Sequence, residues 1–479
     1  MATPELPTPP APATSQGYRG RISSWRGTFT SLSEPEYAWY FAGNIAFFMG
    51  MQMQMLLRGF LAYDLTGTAA SLGIMAAAMA FPMLIASPFG GLVADRVNKR
   101  TLLITTQSAA AFASLIIAVL IITDLIQFWH LIAISVATGG LFSFNMPARQ
   151  ALVPLLVPQH KLMNAISLQM GGMNLTRIVA PALGGLLIAP IGIGWVYMLT
   201  FVMFGLAVAS EFHLPKIGMG TERVRQSFRT EFTGGFVHIK NDPTLRLLMT
   251  MALLMPLFGF PVQQMLPVFA EEVFDNGGVG LGLLASATGV GGLAGAMVSA
   301  NLDRQPHKGR LMLLGGVLMG GFLLAFGLAG NFVLALVFLG AMGVGQMLFQ
   351  ATNNTAIQTD LPPEVRGRVM AVMMMSFGVM PLGAIPVTIA ADSIGAPSAV
   401  ALSAVAMLVV LALCWAISPR LRNLRFDNPG TAELSPIRAA QMVAEGKITR
   451  DEADRLTGLD RFRASPPRPG PKPGPGGGS

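Results

Sequence analysis

The chain has 479 residues, of which 52% are hydrophobic and only 12% charged. A mean hydropathy of +0.57 excludes an ordinary soluble enzyme, and many separate windows exceed the length needed to cross hydrocarbon. The formal net charge of +8 does not mark a nucleic-acid binder, because the cations sit in connections and tails between apolar runs, where they set topology. One cysteine, Cys414, excludes an intrachain disulfide and a Cys-based metal site.

In chain order, residues 1–35 are polar, Pro-rich at the start and carry Arg19, Arg21 and Arg26. They are expected to form a flexible cytoplasmic arm with a short surface helix near its end, and no cleavable signal peptide is expected. Twelve spans follow, at about 37–62, 70–94, 101–123, 128–147, 163–188, 191–212, 245–270, 278–301, 310–329, 332–352, 367–390 and 396–417. The expected division is a six-helix half over 36–212, a basic linker over 213–244, a second half over 245–417 and a cytoplasmic tail over 418–479.

Charge alternates between the connections. One side holds Arg96, Lys99, Arg100, Arg149, Lys161, the linker cations, Arg304, Lys308, Arg310, Arg366 and Arg368. The other holds Asp64, Asp124, Glu271, Glu272, Asp275 and Asp392, with no cation beyond Arg58 at the end of helix 1. By the positive-inside rule both termini are then cytoplasmic in a multi-pass plasma (inner) membrane protein.

An internal repeat is legible. Gly90-Gly91-Leu92-Val93-Ala94-Asp95-Arg96-Val97-Asn98-Lys99-Arg100 between spans 2 and 3 is echoed by Ser299-Ala300-Asn301-Leu302-Asp303-Arg304, then Lys308-Gly309-Arg310, between spans 8 and 9. Pro158 to Ala165 is answered likewise by Pro363 to Ala371. This is a parallel duplication of a six-span unit.

The first of these stretches resembles the G-x-x-x-D-R-x-G-R-K signature of major facilitator superfamily transporters, with Gly91, Asp95, Arg96, Lys99 and Arg100 matching. Asn98 stands for the usual second glycine, a mild departure because Asn tolerates the left-handed conformation. The resemblance implies an all-α fold of two six-helix pseudo-repeats that rock about a central cavity. It also implies a cytoplasmic latch formed by these residues with Asp303, Arg304 and Arg310.

In span 5, Arg177-Ile178-Val179-Ala180-Pro181-Ala182-Leu183-Gly184-Gly185 resembles the G-P-x-x-G-G element of proton-coupled exporters of that superfamily. Pro181, Gly184 and Gly185 match, whereas Ala180 and Thr176 replace glycines. The alternative is a Pro-kinked packing helix. Segments around Tyr63–Thr68 and Asn145–Gln150 are similar to the branch that includes enterobactin exporters and macrolide efflux proteins.

Arg177 lies near mid-depth, where an unpaired cation costs a few kcal/mol, roughly, and is functional by default. It is expected to face the cavity with Asn44, Gln52, Gln346 and Gln350, and it suits an anionic or zwitterionic substrate. Methionine runs at Met49, Met51, Met53 and Met55 suit a pocket for varied apolar cargo, or plain lipid-facing filler. No Asp or Glu is expected deep in spans 1, 4 or 5, so Asp64, Glu271 and Glu272 are the proton-coupling candidates, with Glu211 and Asp360 near the inner ends.

The glycine pattern at Gly289–Ala294 lies inside an apolar span and reads as helix packing, not as a dinucleotide site. Five histidines offer no H-E-x-x-H, so no metal, cofactor or enzymatic role is expected. The tail weakly resembles the short C-terminal (SHOCT-type) tails of assorted bacterial proteins, or is an ordinary tail. The expected function is secondary active export of a drug-like or siderophore-like small molecule by a monomer in the bilayer, with protons as coupling ion. The alternatives are an importer or lipid mover on the same scaffold, or a non-transporting sensor.

Overall fold

The computed structural model describes residues 29–215, 239–240, 242–302, 307–360, 369, 372–373 and 376–418. In the first half the helices are α1 Pro35–Thr66, α2 Ala70–Arg96, α3 Lys99–Ile122, α4 Phe128–Leu156, α5 Leu162–Ile191 and α6 Ile193–Glu211. In the second they are α7 Pro243–Val273, α8 Gly277–Leu302, α9 Lys308–Gly327, α10 Phe332–Asp360, α11 Met380–Ile394 and α12 Ala396–Ile417. Among the described residues 11 helices are long and apolar enough to cross a membrane, and α11 is a shorter apolar helix. Only helices let apolar segments of this length satisfy every backbone N–H and C=O without water. The apolar side chains left uncovered, such as Phe112, Ile116, Leu402 and Leu413, then face lipid.

The ends of the spans differ from expectation where side chains substitute for water. Asn98 does not adopt the left-handed conformation: its φ is −58°, and its side chain caps α3 by accepting from the Arg100 and Thr101 amides. α7 is not one regular helix. It widens into π turns at Met255–Gly259 and Phe269–Val273, and Pro256, Pro261 and Pro267 each remove a backbone donor along it. α4 does not stop at Pro147 but continues through it and Pro154 to Leu156. Arg149 is therefore not a loop cation, and α1, reaching Thr66, makes Arg58 a helix-interior residue.

The duplication shows in the packing. α2 lies on α4, α3 on α6 and α1 on α5, while α8 lies on α10, α9 on α12 and α7 on α11. The matching hairpins α5/α6 and α11/α12 turn on Gly192 and Gly395, at φ/ψ of 81°/153° and 85°/149°, a conformation open to glycine. Lys99 and Lys308, both buried, open the equivalent helices α3 and α9.

The halves meet along α5–α8 and α2–α11. At the first crossing Gly185 lies against Gly282, so that a Cβ added at Gly185 would stand 2.6 Å from the Gly282 Cα. The glycines of the dinucleotide-like run serve packing as well: Gly291 faces the Gly340 backbone of α10.

One end of the bundle carries Lys99, Arg100, Lys161, Lys308 and Arg310, and the other carries Asp64, Asp124, Glu271, Glu272, Asp275 and Asp392. The halves are joined at the acidic end. There the Tyr63 hydroxyl donates to Glu272, and the Asp392 carboxylate accepts from the Ala69 and Ala70 amides at 2.6 and 2.9 Å. At mid-depth Ser286 Oγ donates to the Ile178 carbonyl at 2.8 Å.

Of the residues read as a latch, Gly91, Asp95 and Arg96 lie in the last turns of α2, where only the backbone is described. Asp303 and Arg304, the linker cations from Lys216 to Arg229, and the tail beyond Ser418 lie outside the described residues. Arg100 donates to the Phe212 carbonyl at 2.8 Å and sits over the Phe212 ring, so it braces α3 against α6. Arg310 is exposed.

Candidate functional site: a central cavity beside a buried charge network

A cavity of about 980 Å³, counted to its open mouth, lies between the halves and is lined from α1, α5, α7, α8 and α10. Helical spacing explains how each helix reaches it. Asn174, Arg177 and Pro181 share one face of α5, Gly343, Gln346 and Gln350 one face of α10, and Gln52, Leu56 and Gly59 one face of α1. Gln263 and Gln264 are delivered from the stretch of α7 between its two π turns.

The polar part of an otherwise apolar wall is thus a set of amides around one cation, and among the described residues no Asp or Glu lines it. Arg177 makes no hydrogen bond or ion pair among the described residues. Arg177 is exposed to the cavity, and a guanidinium without a counter-ion there attracts anions, while amides can donate to or accept from neutral polar groups.

Four of the five residues expected at the cavity, Gln52, Arg177, Gln346 and Gln350, line it together. Asn44 does not. It is 1% exposed and turned away into the first half, where it accepts from Arg149. Asp64, Glu271 and Glu272 lie at the acidic end and line neither this cavity nor the one below. Of the exporter-like element, Pro181 lines the cavity, Gly185 makes the α5–α8 crossing and Gly184 faces α1.

A second cavity, of about 990 Å³ when likewise counted to its open mouth, lies in the first half, lined from α1, α2, α3, α4 and α6 with Gln264 and Met380 from the second. Met55, Gly59 and Gln264 line both cavities. Met51 and Met55 of the methionine run are therefore cavity wall, whereas Met53 is core. Phe47, Phe142 and Phe204 supply aromatic surface, and Gln54, Arg58, Thr106, Ser135 and Asn145 supply polar atoms.

Next to this cavity is a buried charge network that the sequence did not reveal. Arg149 of α4 is 1% exposed. Its Nε donates to Asn145 Oδ1 at 2.8 Å and its Nη1 to Asn44 Oδ1 at 2.7 Å, while Nη2 lies 3.7 Å from Glu211 Oε1. The guanidinium stacks 4.0 Å from the Phe47 ring centre. Glu211, also 1% exposed at the end of α6, accepts a further bond from Gln107. Asn145 in turn donates to Thr106 at 2.8 Å, and both of those residues line the second cavity.

Removing one partner of such a pair leaves a buried charge uncompensated. The misleading signal was the polar run Asn145–Gln150 with its proline, which looks like an exit from the membrane. The usable signal was the i, i+4 spacing of Asn145 and Arg149, which puts them on one helical face if the helix continues.

Residues 26–438 match the family described as transmembrane secretion effector. The staphyloferrin A transporter of Staphylococcus aureus is 22% identical over 352 residues, covering 71% of this chain and 86% of that protein. The enterobactin exporter EntS of Shigella flexneri is 24% identical over 289 residues, covering 60% and 68%.

Among solved structures, a bacterial homologue of the human lysosomal transporter Spinster, in an inward-facing unoccupied conformation, superposes with a TM-score of 0.66 at 13% identity. It covers 82% of this chain and 99% of that one. The nucleoside transporter NupG gives 0.65 at 13% identity, covering 79% and 98%. The two six-helix halves, the cavity between them and the match over most of the chain agree: this protein belongs to the transmembrane secretion effector family of major facilitator transporters, and is not an enzyme.

Proposed function

We propose that the chain is a proton-coupled exporter of an anionic, siderophore-like small molecule, working by alternating access in the bacterial plasma membrane. The observation that carries this reading is Arg177, an unpaired cation set among amides in the cavity between the halves. A siderophore presents carboxylate, catecholate or hydroxamate oxygens, which are the groups a guanidinium and a ring of amides bind. The names of two relatives, a staphyloferrin A transporter and an enterobactin exporter, point to the same chemical class.

The basic end is cytoplasmic in this reading, by the positive-inside rule. The structure is then closed towards the outside by Asp392 on the positive N-terminal end of α2 and by the Tyr63–Glu272 bond. Asp95 with its basic neighbours and Asp303 with Arg304 close the cytoplasmic side in the opposite state. Coupling needs a carboxylate that exchanges protons as the halves rock. Glu211, paired with Arg149, which in turn donates to Asn145 in the wall of the second cavity, is the buried candidate. Glu271 and Glu272 at the acidic end are the sites of proton entry. A single chain carries every part, so a monomer suffices.

The experiment is uptake of catecholate and hydroxycarboxylate chelates into inverted and right-side-out vesicles, with and without a pH gradient. Accumulation in inverted vesicles that requires the gradient is expected. Accumulation confined to right-side-out vesicles would instead make the protein an importer.

A further inference from the structure

The second cavity holds a cation for which the account so far has no use. Arg58 is 8% exposed. Its Nη2 donates to Gln54 Oε1 at 2.8 Å, and Gln54 is itself fixed by its bond to Ser114 at 2.8 Å. Its Nε has no partner, and no ion pair to Arg58 exists among the described residues. The other buried arginine of this half, Arg149, has a carboxylate, two amide acceptors and an aromatic face. Arg58 has one amide. Across the cavity from α1, the hydroxyl of Ser135 is also fully buried and unpartnered.

Placing an uncompensated guanidinium at membrane depth costs roughly 2.5–3.5 kcal/mol by insertion scales. Five methionines beside Arg58, among them Met51, Met55 and Met75, and the rings of Phe47, Phe142 and Phe204 make up most of the apolar lining, soft surface suited to a flat ring.

We propose that this cavity is a second anion subsite, with Arg58 binding one acidic group of an aromatic substrate whose other acidic group lies on Arg177. The inference rests on Arg177 being a substrate contact. α1 presents adjacent faces to the two chambers: Gln52 and Leu56 to the central one, and Met51, Gln54 and Arg58 to the other, with Met55 and Gly59 along the shared edge. A ligand with two separated acidic groups can therefore lie across one turn of α1 and neutralise both arginines. A ligand with one acidic group neutralises only one.

The test is equilibrium binding of two probes, biphenyl dicarboxylate and its monocarboxylate, to the full chain in nanodiscs. A charged hydrogen bond is worth about 1.5–3 kcal/mol, so the dicarboxylate should bind at least about tenfold more tightly than the monocarboxylate. Arg58→Gln should bring dicarboxylate affinity to within about twofold of monocarboxylate affinity in the same variant, while Arg58→Lys should keep most of the advantage. Should Arg58→Gln fail to fold, as judged by its elution profile, Met51→Trp decides the matter: it fills the cavity with Arg58 intact and should cause the same loss.

The subsite is overturned if the dicarboxylate has no advantage in the unmodified protein, or does not bind, or keeps its advantage in Arg58→Gln or, where that variant does not fold, in Met51→Trp. Arg177→Gln separates the two readings. If it leaves dicarboxylate binding unchanged while Arg58→Gln weakens it, the central-cavity reading and the bridging pose both fail and only the anion contact at Arg58 stands; if both variants weaken it, both readings stand.

Discussion

Gly184 and Gly185 are neighbours in the exporter-like element, yet they should respond very differently to alanine. A Cβ on Gly185 would stand 2.6 Å from the Cα and 2.7 Å from the backbone nitrogen of Gly282, and Gly282 would stand as close to the Pro181 carbonyl if substituted. Carbon atoms pack best at about 3.5–4.0 Å, so α5 and α8 must separate by roughly an ångström, and backbone atoms cannot turn aside as a side chain can. Overpacking of this kind costs about 1–3 kcal/mol. In this structure the contact accompanies closure of the halves at the acidic end. The cost therefore falls on that state, shifting the conformational equilibrium by roughly 5- to 150-fold. A Cβ on Gly184 would meet only Leu56 and Met53 side chains, at 3.6 Å, an ordinary contact.

The assay is maleimide labelling from the acidic end of a cysteine introduced as Gln263→Cys in the central cavity, in a Cys414→Ser background. Gly185→Ala should raise the labelling rate by about the factor above, and Gly184→Ala should leave it within about twofold. Equal behaviour of the two variants would refute the argument that this glycine pair sets the closed state.

Other outcomes follow from the same contacts. Glu211→Gln keeps a bond to Gln107 but strands Arg149, so it should lose gradient-driven accumulation and destabilise the protein by up to about 3–5 kcal/mol, read as a lower melting temperature in detergent. The double variant Arg149→Met/Glu211→Leu should recover most of that stability without recovering transport. Asp392→Asn removes the charge from the N-terminal end of α2, an interaction worth about 0.3–1 kcal/mol, and should raise Gln263→Cys labelling from the acidic end by a few-fold. Asp95→Ala should reduce transport while leaving membrane insertion intact, and unchanged transport kinetics would remove it from the proposed latch.

The spans and the six-plus-six repeat were legible in the sequence because hydrocarbon imposes a length on apolar runs and charge marks their ends, whereas which helices pack together was not. Gln52, Arg177, Gln346 and Gln350 were legible as isolated polar residues within apolar helices. Asn44 had the same appearance but faces the Arg149 network, since an intramembrane amide can line a cavity or bond across helices and its own position does not say which. Arg149 was hidden by Pro147, which ends helices in water but is tolerated inside a membrane helix whose freed carbonyl finds another partner. Glu211 looked peripheral because burial depends on which helices close over it, here α3 and α4. Asn98 was understood as a tolerant turn residue when its side chain is a helix cap, a role that depends on where the next helix begins.

Transport by Arg177→Gln decides whether this arginine holds the substrate's charge, measured in inverted vesicles given a pH gradient and either an anionic chelate or a cationic dye. If it does, the anion flux falls by about tenfold or more, Arg177→Lys retains part of it, and the dye flux is unchanged or rises. Anion flux equal to that of the unmodified protein would contradict it.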